Sequence, residues 1–155
     1  MRVEIQSRAA GAPPAGRVRG VLRRAARAAR ARGAEVSVLF CSDTRMRSLN
    51  RRYRGRDRST DVLAFPAGGA GCGFLGDIVI SVPYAAREAR RRAERGTREI
   101  DRLLVHGLIH LMGYDHETDH GEMDALEGRV RRRLGIADPP AEQAARGSRK
   151  RRLAR

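Results

Sequence analysis

Four short stretches of the chain have the apolar pattern of β-strands. Residues 1–6, 34–40, 60–66 and 75–82 alternate apolar and polar side chains, or run apolar with many β-branched residues. Runs of this length that are rich in Val, Ile and Phe are typical of half-buried or buried strands. The pattern therefore predicts four short strands.

Apolar residues at helical spacing predict five helices between and after these strands. Asp43 or Thr44 is a suitable N-cap for the second helix. Glycines that follow a helical pattern are typical helix ends. The predicted helices cover residues 17–32, 43–54, 83–95, 97–112 and about 119–134, with Gly33, Gly96, Gly113 and Gly135 as ends.

The helix predicted at 97–112 is apolar on two opposite sides. A helix that is apolar nearly all round is normally buried, and a buried polar group needs a partner. The histidines of this helix should therefore each have a polar partner or a metal ion as a partner. Its only polar stripe runs through Glu99, Arg102, His106, His110 and Gly113.

The segment "HGLIHLMGYDH" carries three histidines, His106, His110 and His116, at offsets 0, 4 and 10. Side chains at i and i+4 of a helix have Cβ atoms about 5–6 Å apart, and a left-handed Gly113 can turn the chain so that His116 approaches the pair. Three imidazoles that leave a fourth tetrahedral position open are typical of catalytic zinc, although iron, nickel and copper also bind imidazole. His120 is the alternative third ligand.

These offsets match the metzincin signature His-Glu-x-x-His-x-x-Gly-x-x-His with one substitution. Gly107 stands where that signature has its glutamate. Zinc proteases use this glutamate as the general base. Peptide hydrolysis by that route is therefore not expected.

The net charge of +15 implies attraction to polyanions such as RNA or DNA. However, Lys150 is the only lysine among 33 basic residues, and such an arginine bias can also come from a GC-rich genome. We expect residues 1–139 to form one domain and residues 140–155 a basic, disordered tail. No apolar run approaches the ~20 residues of a membrane span, and no signal sequence is evident, so we expect a cytoplasmic protein.

The chain resembles the YbeY-type endoribonuclease family, also called rRNA maturation factors. The hallmark of that family is His-Gly-x-Leu/Ile-His-Leu-x-Gly-Tyr-Asp-His, which residues 106–116 reproduce. The resemblance extends to "YRGRDRSTDVLAFP" at 53–66, "LGDIVIS" at 75–81 and "EMDALEGRVRRRLGIADP" at 122–139. It therefore covers most of the chain.

The resemblance implies an α+β fold with a small, mixed four-stranded sheet and about five helices. It also implies a zinc ion held by His106, His110 and His116, and cleavage of single-stranded RNA in small-subunit rRNA 3′ end maturation and ribosome quality control. A functionally important arginine of the family matches Arg54, whose forked donors suit a phosphate. The alternative is that Arg54 is one more solvated surface arginine.

Two functions follow from these observations. The first is a zinc-dependent endoribonuclease, in which Asp115 or His120 is available to assist proton transfer. The second is a non-catalytic ribosome assembly factor, in which zinc is structural and the basic surface binds rRNA. Gly107 in place of a general base is the best support for the second function.

Overall fold

Four strands and five helices make up the part of the chain that the computed structural model describes, which is residues 1–31, 35–68 and 73–136. In chain order they are β1 (Arg2–Ser7), α1 (Ala15–Ala29), β2 (Glu35–Cys41), α2 (Asp43–Arg54), β3 (Val62–Pro66), β4 (Phe74–Ser81), α3 (Val82–Arg91), α4 (Gly96–Leu111) and α5 (Glu122–Leu134). The predicted tail from residue 140 onward lies outside the described residues.

The strands form one mixed sheet in the order β1-β2-β4-β3. β1, β2 and β4 are parallel, and β3 pairs antiparallel with β4 at the edge. Parallel neighbours need a crossover connection, and α1 provides it between β1 and β2. The predicted α+β fold, with a four-stranded mixed sheet and five helices, is confirmed.

The second half of β4, Ile78 to Ser81, is buried on both faces because helices cover both sides of the sheet. Ile78 and Ile80 belong to a core that includes residues of α1, α3, α4 and α5. Val79, which points to the opposite face, packs in a smaller cluster with Met46 of α2. The alternation of side chains along β4 thus places α2 on the face of the sheet opposite α4.

Helix α4 lies at the centre of the larger core, where it packs against α1, α3, α5, β3 and β4. Leu104 and Leu108 on one side, and Val105 and Ile109 on the other, are fully buried. The prediction of a helix buried on two sides is confirmed. No helix among the described residues is both long and apolar enough to cross a bilayer.

The N-cap of α2 is Ser42 rather than Asp43 or Thr44. The Ser42 hydroxyl accepts the backbone N–H of Arg45 at 3.3 Å. Asp43 instead binds the guanidinium of Arg87 on α3 at 2.6 Å, and this hydrogen bond holds the pKa of the Asp43 carboxyl below its usual value. The N-cap therefore lies one residue before the predicted position, and the Asp43 carboxylate makes a tertiary contact instead.

Two predicted helix ends were wrong. Helix α1 ends before Gly33, because Arg30 takes a left-handed conformation with φ of 56°. Helix α3 ends before Gly96, because Ala93 turns the chain with φ of 53°, and Gly96 instead begins α4. The end of α5 at Gly135, with φ of 69°, is confirmed.

Candidate metal centre

The first half of the polar stripe on α4 is occupied by buried ion pairs. Glu99 accepts hydrogen bonds from Arg92 at 2.8 Å and from Arg102 at 2.6 Å, and Arg102 also contacts Glu94. A buried charge is costly unless it is paired, and these charges neutralise one another at the junction of α3 and α4. The second half of the stripe, with His106 and His110, is only half-buried.

The structure brings His106, His110 and His116 together at the C-terminal end of α4. Each ring contributes one nitrogen, and these three nitrogens lie within 4.8 Å of one another. The chain leaves the helix through Gly113, whose φ of 93° is the left-handed turn that the sequence predicts. That turn directs the exposed His116 back towards the pair on the helix.

The donor geometry of this cluster fits a small cation. The Nε2 atoms of His106 and His110 lie 3.1 Å apart. Two nitrogens bound at ~2.0–2.1 Å to one tetrahedral ion are separated by about 3.3 Å. Three imidazoles suit zinc and other transition metals, so this part of the chain fits the metal that the resemblance implies.

The electrostatics of the cluster keep His110 in its neutral form. Burial, with smaller contributions from the neighbouring His106 and His116, lowers the pKa of His110 to about 4. Because only a neutral imidazole has a free lone pair for a metal, His110 is ready to bind one at neutral pH.

His120, the alternative third ligand in the sequence, lies outside the histidine cluster of the described residues. It is exposed, and its backbone N–H donates to the carboxylate of Glu122 at 2.6 Å. Asp115, which precedes His116, lies near enough to the cluster for its carboxylate to oppose the lowering of the His110 pKa.

Glu127 on α5 is a site residue that the sequence interpretation missed. Its Oε2 lies 3.0 Å from Nδ1 of His106, and its side chain is 9% exposed. A signal for it exists in the sequence, since Glu127 follows the apolar spacing of Met123, Leu126 and Val130. An acidic residue on the apolar face of a helix needs a partner, but the identity of that partner depends on how α5 docks on α4.

Gly107 faces the sheet and has no room for a side chain. A Cβ atom at this position would lie 2.9 Å from Cγ2 of Ile78 and 3.2 Å from both Cγ1 and Cδ1. Ile78 is fully buried in β4. The position that holds the glutamate in the metzincin signature is therefore used here for close packing between α4 and β4.

Arg54 is exposed at the last residue of α2, on the face of the sheet opposite α4. The neighbouring ring of Tyr53 contacts the ring of Phe65, with centroids 5.1 Å apart. Phe65 lies near the end of β3, close to Gly76 of the paired strand β4. The side chain of Leu111, the last residue of α4, lies against Gly76, since a Cβ atom built on that glycine would be 3.0 Å from it. The C-terminal ends of α2 and α4 thus approach the same end of the β3–β4 hairpin. The role of Arg54 in catalysis stays a prediction.

Relatives of the chain are named enzymes. The endoribonuclease YbeY of Solibacter usitatus is 45% identical over 104 residues, which cover 67% of this chain and 69% of that protein. The endoribonuclease YbeY of Koribacter versatilis is 42% identical over 129 residues, which cover 83% of each chain.

The fold also has a counterpart of known structure. The solution structure of a Thermotoga maritima protein matches with a TM-score of 0.61 and 24% identity, over 90% of this chain and 98% of that one. A family model described as endoribonuclease YbeY matches residues 14–135, a range that includes all five helices and the three clustered histidines. The chain therefore belongs to the endoribonuclease YbeY family and is, as the resemblance predicted, an enzyme that acts on RNA.

Proposed function

We propose that this chain is a zinc-dependent endoribonuclease that cuts single-stranded RNA. Its role is the maturation of the 3′ end of small-subunit rRNA, together with ribosome quality control, in the cytoplasm. Its partners are RNA and the ribosomal small subunit or its assembly intermediates. The observation that carries the proposal is the cluster of His106, His110 and His116 in a chain of this family.

The three imidazoles hold the zinc, which when bound supplies Lewis acidity towards the phosphodiester and activates water. The chain itself supplies the environment. His110 stays neutral because it is buried, and Glu127 holds the ring of His106. Asp115 is a better candidate than His120 for accepting a proton, because its charge acts on the cluster while His120 lies outside it.

Arg54 stabilises charge that develops on the scissile phosphate. A guanidinium can donate two parallel hydrogen bonds to phosphate oxygens. Support for this role comes from the end of α2, which lies near the same end of the β3–β4 hairpin as the histidine end of α4. A single strand of RNA that passes this end of the hairpin can contact both.

The second candidate function is a non-catalytic assembly factor that uses its net charge of +15 to bind rRNA. The observation in its favour is Gly107, whose position cannot carry a general base because it packs against Ile78. In this case zinc would hold α4 and the following turn together without taking part in a reaction.

The test is incubation of the purified protein, with its metal and after chelation, on matched single-stranded and duplex RNA. We expect cleavage of the single strand only, and only with metal. His110→Ala, purified in parallel, is the control for contaminating nucleases. Binding of RNA without any cleavage by the metal-loaded wild type would support the assembly factor instead.

The ligand set is tested by metal analysis of two histidine variants. We expect about one zinc per chain in the wild type, because three imidazoles converge on one point. His116→Ala should lose most of the metal, and the matched variant His120→Ala should keep it. Loss at His120 with retention at His116 would overturn the assignment.

A further inference from the structure

Glu127 joins helix α5 to the histidine cluster through a ring nitrogen of His106. Its carboxylate is almost fully buried, and Oε2 lies 3.0 Å from Nδ1 of His106. The Nε2 atom of the same ring lies 3.1 Å from Nε2 of His110. The two nitrogens of His106 therefore face two different partners, a carboxylate on one side and the proposed metal position on the other.

This arrangement selects one tautomer of His106. A carboxylate only accepts hydrogen bonds, so Nδ1 must carry the proton that is donated to Glu127. In a neutral imidazole the lone pair is then on Nε2, the nitrogen that faces His110. We propose that Glu127 is a positioning residue that fixes His106 in the tautomer and orientation required to bind a metal, an inference that rests on the proposed function.

Arg131 holds the carboxylate in place for this role. It lies one turn after Glu127 on α5, and its guanidinium contacts Oε1, the oxygen that does not face His106. Each oxygen of Glu127 thus has its own partner. A carboxylate that is paired with a cation in this way is held in one orientation, and a charged acceptor makes a stronger hydrogen bond to an imidazole N–H than a neutral acceptor does.

A purely structural ion pair between Glu127 and Arg131 is the simpler explanation, but it leaves one contact unexplained. Pairs at i and i+4 form readily on an exposed helix surface, without burial of the carboxylate. Here the carboxylate is buried against α4, and its second oxygen is directed at a ring nitrogen of the cluster. Carboxylates that hold a ligating histidine in this way typically contribute about 10–100-fold to metal affinity.

The decisive experiment compares Glu127→Gln and Glu127→Leu with the wild type. Asp124→Asn is the matched control, since it removes one negative charge from an exposed position on the same helix. The first measurement is the tautomer of His106 in metal-free protein, from long-range ¹H–¹⁵N correlation spectra. The second is zinc affinity at pH 7, by competition with a chromophoric chelator.

We expect wild type and Asp124→Asn to carry the proton on Nδ1 of His106. Glu127→Leu should show a mixture of tautomers and bind zinc about 10–100-fold more weakly. Glu127→Gln, which keeps the shape and one acceptor oxygen, should fall between them. Wild-type tautomer and wild-type zinc affinity in both Glu127 variants would overturn the proposal.

If Glu127→Leu does not fold, the zinc affinity of Glu127→Gln decides the question. An affinity below that of Asp124→Asn supports the proposal, and an equal affinity overturns it. The test of Glu127 is also independent of the test of the proposed function. If the wild type binds zinc but cuts no RNA, the endoribonuclease proposal fails while the role of Glu127 stands or falls on its own two measurements.

Discussion

Replacement of Gly107 by alanine should destabilise the protein, although alanine is the better helix former. The added Cβ would lie 2.9–3.2 Å from three atoms of the fully buried Ile78. An extra methyl group in a well-packed core costs about 1–3 kcal/mol. The gain in helix propensity from glycine to alanine is about 1 kcal/mol, so the expected net loss is about 0–2 kcal/mol.

Gly20→Ala is the matched control. Gly20 lies inside α1, is exposed, and has no atom within 4 Å of a Cβ built on it. This variant should be stabilised by about 1 kcal/mol, so the two variants should differ by about 1–3 kcal/mol. For a chain of this size that difference is a Tm gap of roughly 2–12 °C in metal-free thermal melts.

A double-mutant cycle tests the cause. In an Ile78→Ala background the three contacting atoms are gone, so Gly107→Ala should become as favourable as Gly20→Ala. The reasoning is refuted if Gly107→Ala raises the Tm of the otherwise wild-type protein as much as Gly20→Ala does.

Other expected outcomes concern charge and protonation. Arg54→Ala should keep the zinc content and RNA affinity of the wild type, while its cleavage rate falls about 10²–10³-fold. Arg27→Ala on α1 should instead weaken RNA binding modestly and leave the cleavage rate at saturation unchanged. Single-turnover kinetics with both variants check this. Metal-free protein should lose stability as pH falls from about 6.5 towards 4, because His110 has a folded pKa of about 4 and the unfolded chain binds the proton first. Thermal melts of His110→Ala should show a shallower pH dependence, and an equal slope would contradict this. Deletion of residues 141–155 should leave Tm unchanged. In a salt titration, the slope of log RNA affinity against log salt concentration should become shallower by up to about 0.7 per lost phosphate contact. A large drop in Tm would contradict this.

The elements and the histidine cluster could be predicted because their signals are local. The strands, the buried character of α4 and the left-handed Gly113 follow from the spacing of apolar residues and one glycine. Two of the three clustered histidines are one helical turn apart, and the third follows the turn that Gly113 makes. Such features depend on few long-range contacts.

The remaining features depend on how distant segments dock. Glu127 meets His106 only because α5 packs on α4, and Gly107 meets Ile78 only because α4 packs on β4. The Asp43 carboxylate binds Arg87 of α3 and does not cap α2. In each case the residue type signals a need for a partner or for space, while the partner lies 21 or more positions away in the sequence.

The placement of the three histidines also has a dynamic consequence. His106 and His110 are fixed on a helix whose apolar sides are fully buried, whereas His116 lies in an exposed turn that begins at Gly113. Exposed turns open locally at far lower free energy than a buried helix unfolds. Opening of the turn alone would therefore remove His116 from the cluster, while His106 and His110 stay in place on the helix.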